Sequence, residues 1–314
     1  MKTALQLMMV LMIAVWMSGC QSSPSAALSD VPLKVLIVDG QNNHEVWPWA
    51  TAKIKQELEA TGRFSVDVYR SRYTWKGENW LADYGLDDGK TYTAVKEPQT
   101  DPEFAPVFAD YQVVISNFGW KAAPWPQATR EAFEAYMKNG GGLVVFHAAD
   151  NSFPDWPAFN QMIGLGGWGG RNENSGPYVY FSDAGEQVVD TSPGQGGGHG
   201  QQHPFEIQLQ NYEHPVVAGL PESFMHAQDE LYNRLRGPAQ NLTVLATAYD
   251  DPAFKGFGRH EPVLMTIDYF DGRVFHSTLG HGKPAIESDS FLQSLIRGTE
   301  WAATGTVTLT STQP

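Results

Sequence analysis

Leu33-Lys34-Val35-Leu36-Ile37-Val38-Asp39-Gly40 is the stretch from which the fold can be read. It is a short, β-branched, nearly continuous apolar run that ends at Asp-Gly. Such a run fits a strand buried on both faces. Downstream, Trp49 to Ala60 spaces Ala50, Ile54 and Leu58 four apart, with charges between them and Gly62 beyond. That spacing predicts an amphipathic helix. Phe64 to Tyr69 alternates as a strand does. A polar, Trp-bearing insertion covers about Arg70 to Asp110. A strand over Tyr111–Phe118, a helix over Pro126–Asn139 and a strand over Leu143–Phe146 follow. Strands alternating with helices imply parallel strands covered on both faces, joined right-handedly. The first half therefore reads as α/β, an open doubly wound, mostly parallel sheet of flavodoxin-like character. The second half is looser. Further strands are predicted at Tyr178–Phe181, Phe205–Leu209, Leu242–Ala248, Pro262–Tyr269 and Arg273–Ser277, and a closing helix at Ile286–Gly298.

Upstream of Leu33 the chain has a different character. Met1-Lys2 is followed by an apolar run from Ala4 to Met17, then Ser18-Gly19-Cys20 and a Ser/Pro-rich stretch. A charged start, a short apolar core and small residues describe a secretory leader, because a membrane span needs a longer run. The stretch ending at Cys20 resembles a bacterial lipobox, with Met17 where leucine is usual. The expected division is a leader over 1–19, a flexible tether over 20–32 and one α/β domain over 33–312. Cys20 would carry the lipid anchor. Gln21, where a retention signal would have aspartate, points to the bacterial outer membrane. The chain would then face the periplasm or the cell surface.

Cys20 is the only cysteine, so disulfides, a thiol nucleophile and a cysteine zinc site are excluded in the domain. Loss of Lys2 with the leader takes the formal charge from −14 to −15. Nucleic acid is a poor partner for such a surface. Ten Trp and twelve Tyr offer aromatic faces on which sugar rings can stack, although aromatic residues also fill cores.

In an open parallel sheet, ligands bind beyond the carboxyl ends of the strands. Four predicted strand ends carry polar or imidazole groups there: Asn42-Asn43-His44, Asn117 with Gly119-Trp120, His147 with Asp150, and Gly280-His281. Two further clusters are Gly198-His199-Gly200 with His203, and His226 with Asp229-Glu230-Leu231-Tyr232. Glycines around His199 and His203 argue against a helical zinc motif. One of the adjacent carboxylates, Asp229 or Glu230, could be buried with a raised pKa suited to proton transfer. No G-x-S-x-G elbow is present.

These ordered segments resemble the trehalose-utilisation (ThuA-like) family of the glutamine amidotransferase-like superfamily. The residues that carry the resemblance are Asp39–His44, Gly140–His147, His199-Gly200 with His203-Pro204-Phe205, Asp229–Tyr232, and Gly272–His276 leading to Leu279-Gly280-His281. The resemblance implies a flavodoxin-like, class I amidotransferase-like fold and a link to sugar catabolism, including 3-keto sugars. At the sharp turn where that superfamily places a cysteine, this chain has His147. The reading that results is an enzyme acting on a glycoside or 3-keto sugar by hydrolysis, elimination or isomerisation. His147 and Glu230 are expected to transfer protons. Asn42, Asn43, His44, Trp120, Asp150, His203 and Asp229 are expected to bind substrate. His199 and His281 are expected to hold a divalent metal such as zinc, with no nucleotide cofactor. The alternative is a non-catalytic carbohydrate-binding lipoprotein using Trp120, Trp125, Trp156 and Trp168.

Overall fold

Alternation along the first strand explains how the molecule is layered. In β1 (Leu33–Gln41), Val35 and Ile37 face one side, and Leu36 and Val38 face the other. The computed structural model describes residues 31–309, so the leader, Cys20 and most of the tether lie outside the described residues. After β1 come α1 (Trp47–Ala60), β2 (Phe64–Trp75), α2 (Glu78–Leu81), β3 (Thr93–Val95), β4 (Val113–Ser116), α3 (Gln127–Lys138) and β5 (Gly142–Phe146). The second half adds α4 (Pro157–Ile163), β6 (Tyr178–Phe181), β7 (Gln187–Asp190), β8 (Gly198–His199), β9 (His203–Leu209) and β10 (Ser223–Asp229). It continues with β11 (Tyr232–Asn233), β12 (Leu242–Tyr249), β13 (His260–Tyr269), β14 (Gly272–Ser277), α5 (Lys283–Ile286) and α6 (Asp289–Thr304).

The main sheet runs β10-β9-β12-β13-β14-β5-β4-β1-β2-β3. From β14 to β3 every pairing is parallel, in registers such as Val274 with Leu143 and Ile37 with Ile115. The run β2-β1-β4-β5-β14 has the flavodoxin-like 2-1-3-4-5 order, which reverses beside β1. Ile54 and Leu58 of α1 join Val35 and Ile37 in one apolar core, with Phe291 and Leu295 of α6. Phe133 and Met137 of α3 join Leu36 and Val38 in the other. The fold is thus α/β, with a mostly parallel central sheet covered on both faces. From β13 outward the strands are antiparallel.

Beyond short elements that the sequence reading left unassigned, such as α2, β7 and β8, three differ from it. The closing helix starts at Asp289, not Ile286, because the Ser288 side chain caps it by accepting from the Phe291 amide. β2 runs on to Trp75, inside the stretch read as insertion. His226 to Asp229, to which the sequence reading assigned no strand, forms the end of one, β10. Trp125 and Trp156 are buried in the second core, where Trp125 packs on Phe133 and Phe153. They offer no sugar platform. Among the described residues, no helix is long and apolar enough to cross a membrane.

α6 lies close on β14 at Gly298, where any Cβ would drive into the Phe275 ring. Glycine-to-alanine changes normally favour a helix interior by about 1 kcal/mol. Here overpacking should reverse the sign, and Gly298→Ala should cost roughly 1–3 kcal/mol. Chemical denaturation of the two proteins checks this; a stabilised variant would refute the close packing.

Candidate functional site

Backbone geometry at the carboxyl ends of β1, β4, β5 and β14 sets the first positions. Asn42 shapes the turn after β1: its Oδ1 accepts from the His44 amide at 2.9 Å, and its Nδ2 reaches Asn117 Oδ1 at 3.1 Å. Gly119 is required beside it, since a Cβ there would sit 2.5 Å from Asn42 Oδ1. Asn43 Oδ1 accepts from the Trp120 amide at 2.9 Å. At the end of β5, His147 has φ +41°, a strained value for a residue other than glycine. That sharp turn throws the imidazole over the sheet edge. Its Nδ1 donates to the Thr278 carbonyl at 2.9 Å. A carbonyl only accepts, so in the neutral ring Nε2 keeps its lone pair.

Four side chains then converge. One ligand atom each from His44, His147, Glu230 and His281 lies within 4.8 Å of all the others. Glu230 Oε2 is 2.9 Å from His281 Nδ1 and 3.9 Å from His147 Nε2. Although His281 Nδ1 is that close, it is not aligned for an N–H···O bond and stays a buried nitrogen without a hydrogen-bond partner. The His44 ring is 4.9 Å from that of His147 and 4.6 Å from that of His281. Burial, then the neighbouring His281, pushes His44 down to about 4. Burial, then His44 and His281, holds His147 well below its ordinary value. Burial opposes ionisation of Glu230, but His281 and His199 outweigh it and bring the carboxyl below its ordinary range. This is the reverse of the raised pKa expected for an acidic catalyst at this position.

Such a set fits a divalent cation. Neutral imidazoles and an ionised carboxylate are the ligand forms of these side chains. The Thr278 carbonyl orients His147 as an outer hydrogen-bond partner does at a metal centre. A tetrahedral zinc with bonds near 2.1 Å holds its donors about 3.4 Å apart. The two Glu230 distances bracket that spacing.

A cavity of about 250 Å³ opens onto the cluster. Trp120, Trp168, Asn43, His199 and Tyr232 line it along with His44, Glu230 and His281. Tyr232 donates its hydroxyl to His147 Nε2 at 2.9 Å and accepts from Asn151 at 3.3 Å. His199 stands at the rim, with Nε2 3.8 Å from Glu230 Oε2 and Nδ1 donating to its neighbour's carbonyl, Gly200 O, at 2.8 Å.

Four residues expected to bind substrate lie outside the lining: Asn42, buried in the turn after β1, and the three that follow. His203 stacks flat on Phe254 at 3.9 Å, with Nδ1 donating to the Gln201 carbonyl. Asp150 is buried beneath the site and paired with His276 at 3.2 Å, where burial pushes its carboxyl up against the pull of that imidazole. Asp229 is buried, with Oδ1 accepting from the Glu230 and His281 amides and Oδ2 from Gly280 N and His226 Nε2. It positions ligands and does not face the cavity. Of the two expected metal ligands, His281 belongs to the set of four, with His44, His147 and Glu230, and His199 lies outside it. The sequence reading gave Tyr232 and Asn151 no role. The only signal was that Tyr232 ends the Asp229–Tyr232 cluster.

The ordered motifs and this geometry now meet the comparisons with known proteins. The model of the ThuA family, described as trehalose utilisation, matches residues 34–302. The chain belongs to the ThuA family. A ThuA-like protein of Parabacteroides merdae ATCC 43184, of known structure, is 42% identical over 90% of this chain and 93% of its own, with a TM-score of 0.78. A ThuA-like protein of Bacteroides uniformis ATCC 8492 is 21% identical over 89% and 95%, with a TM-score of 0.55, and shares the fold. No curated protein matches the chain. Membership of the ThuA family links it to trehalose utilisation, a carbohydrate-related role.

The depressed pKa of His44 carries a sign. Unfolded, this histidine takes its proton near its ordinary 6.5; folded, it resists until about 4. Between these values the unfolded chain binds more protons, so stability falls as pH drops through that window. In chelator-treated protein the loss should approach roughly 3 kcal/mol from this group alone. His44→Gln should flatten the slope between pH 6.5 and 4 in denaturation midpoints. An unchanged slope would show that His44 titrates normally.

Proposed function

We propose that this ThuA-family protein is a carbohydrate-processing enzyme that acts on a glycoside or 3-keto sugar with the help of a divalent cation such as zinc. The observation that carries the proposal is the convergence of His44, His147, Glu230 and His281 within 4.8 Å, with His44, Glu230 and His281 lining a cavity. The cation, when bound, would polarise a substrate carbonyl oxygen as a Lewis acid.

The chain's own groups would do the rest. Trp120 and Trp168 border the cavity and present aromatic faces to a sugar ring. Asn43 adds a short polar contact beside Trp120. His147 and Glu230 serve here as ligands, so proton transfer passes to His199. Its Nδ1–H is engaged by a carbonyl, which leaves Nε2 bare toward Glu230 and the cavity. A keto group acidifies the neighbouring C–H. His199 Nε2 would take that proton, the C–H electron pair would form a C=C bond, and the glycosidic C–O bond β to the carbonyl would break. The leaving oxygen would gain a proton from solvent. An acidic chain disfavours polyanionic substrates, in keeping with a neutral sugar. The Cys20 anchor belongs to the same reading, as an exported, lipid-anchored protein meeting its substrate at the outer membrane.

Elemental analysis of purified protein and turnover of 3-keto-trehalose test this together. Wild type should carry about one equivalent of metal per chain. His147→Ala and Glu230→Gln should each lose metal at least tenfold in affinity, with activity falling by 100-fold or more. His199→Ala should keep the metal and lose rate. Turnover by metal-free protein at the wild-type rate would sink the metal reading. Tight sugar binding with neither metal nor product would favour the non-catalytic binder.

A further inference from the structure

The reading above leaves one conflict in the site, at Nε2 of His147. That nitrogen accepts the Tyr232 hydroxyl at 2.9 Å. The direction of the bond is fixed from both ends. Nδ1 of the same ring donates to the Thr278 carbonyl, so Nε2 is the acceptor. Asn151 Nδ2 donates to the Tyr232 oxygen, so the hydroxyl hydrogen is free to go to His147. Yet Nε2 is also the nitrogen that the cluster of four offers to an ion, 3.9 Å from Glu230 Oε2. One lone pair cannot serve a hydroxyl and a cation at once.

Tyr232 is poorly placed to find another protein acceptor. Its ring stacks on His147 at 4.3 Å and meets Trp168 at 4.8 Å, and the residue is buried to 2% exposure. The cavity that Tyr232 lines is the open space beside it. A buried hydroxyl left without an acceptor costs about 1–3 kcal/mol, so an oxygen entering that cavity would be drawn to it.

We infer that cation binding at His147 redirects the Tyr232 hydroxyl from Nε2 into the cavity, where it becomes a hydrogen-bond donor to a substrate oxygen. This rests on the metal reading and deepens it. Tyr232 is then a catalytic residue that touches substrate, and no proton leaves it. As a neutral hydroxyl it donates one hydrogen bond, which suits an oxygen of the substrate. In the ion-free protein the same hydroxyl competes with the ion.

Competition gives a readout separate from turnover. Zinc titrated calorimetrically into chelator-treated, desalted protein should bind Tyr232→Phe more tightly than wild type, by about threefold to tenfold, since one net hydrogen bond no longer has to be broken. Sugar turnover by the same variant should fall while its zinc content stays full. Equal or weaker zinc binding by the variant overturns the inference and leaves the metal reading standing. A tyrosinate band in the ultraviolet difference spectrum on zinc addition also overturns it, by making Tyr232 a ligand. Absence of zinc binding by wild type overturns both. Should the variant not fold, a crystal structure of wild type with zinc decides the same point. The hydroxyl must lie beyond hydrogen-bond reach of Nε2, and one that remains on Nε2 refutes the inference.

Discussion

The carboxylate of Asp229 is the fixture on which the site depends. It is buried, at 1% exposure, and a buried charge without partners costs several kcal/mol. Here both oxygens are saturated. Oδ1 takes the Glu230 and His281 amides, and Oδ2 takes the Gly280 amide and His226 Nε2. His226 is steadied in turn by Ser290, in the first turn of α6. These bonds tie the end of an antiparallel strand, β10, to the loop that follows the last parallel strand, β14. That knot joins the outer edge of the antiparallel half to the parallel half. Glu230 and His281 are brought within 2.9 Å because their backbone amides share one oxygen of Asp229. A neutral side chain there would leave donors unsatisfied and free the two ligands to drift apart.

A second buried carboxylate secures the opposite side. Asp39, in β1, holds Arg70 of β2 through two bonds of 2.8 Å and accepts from Thr51 of α1 at 2.7 Å. Thr51 accepts from Asn117 beyond β4, and Asn117 in turn accepts from Asn42. The chain of bonds therefore runs from the interior of the sheet to the turn that presents His44. Bidentate guanidinium–carboxylate pairing fixes orientation as well as distance. His147 stands between these two networks on a strained turn, and the Thr278 carbonyl sets its ring. Three of the four converging groups thus come from strand ends held by buried polar networks, the arrangement that a preformed site needs.

Much of this was legible in the residues, for identifiable reasons. β1, β4 and β5 read clearly because strands buried on both faces are continuous apolar runs. The histidines at strand ends could be named because parallel topology puts ligands there. Pairing between distant segments could not be read. β10 buries only His226 and Asp229 of its seven residues and carries His, Gln and Asp, so it resembles a polar turn until β9 is laid beside it. The glycines around His199 hid a two-residue strand, β8, paired with Tyr232-Asn233. Asp150 and Asp229 had the right chemistry for substrate contact but the wrong depth. Only burial separates a carboxylate that meets a sugar from one that positions a neighbour, and burial is a property of the whole fold.

The same depth bears on why three imidazoles and a carboxylate should crowd together at all. Stability alone disfavours the arrangement. Imidazole rings 4.6–5.3 Å apart cannot all be charged, and burial adds to the penalty, so His44 and His147 are held neutral. Neutral, they point lone pairs toward a common space beside an ionised Glu230. Among the described residues, none answers His281 Nδ1 with an aligned hydrogen bond, and Tyr232 alone answers His147 Nε2. An apolar core at this place would be more stable. A fold that keeps the cluster and builds two buried carboxylate networks to hold it bears a cost in stability that function must offset. On the proposed metal reading, a divalent cation would offset that cost, because one ion would face the imidazole lone pairs and the carboxylate together.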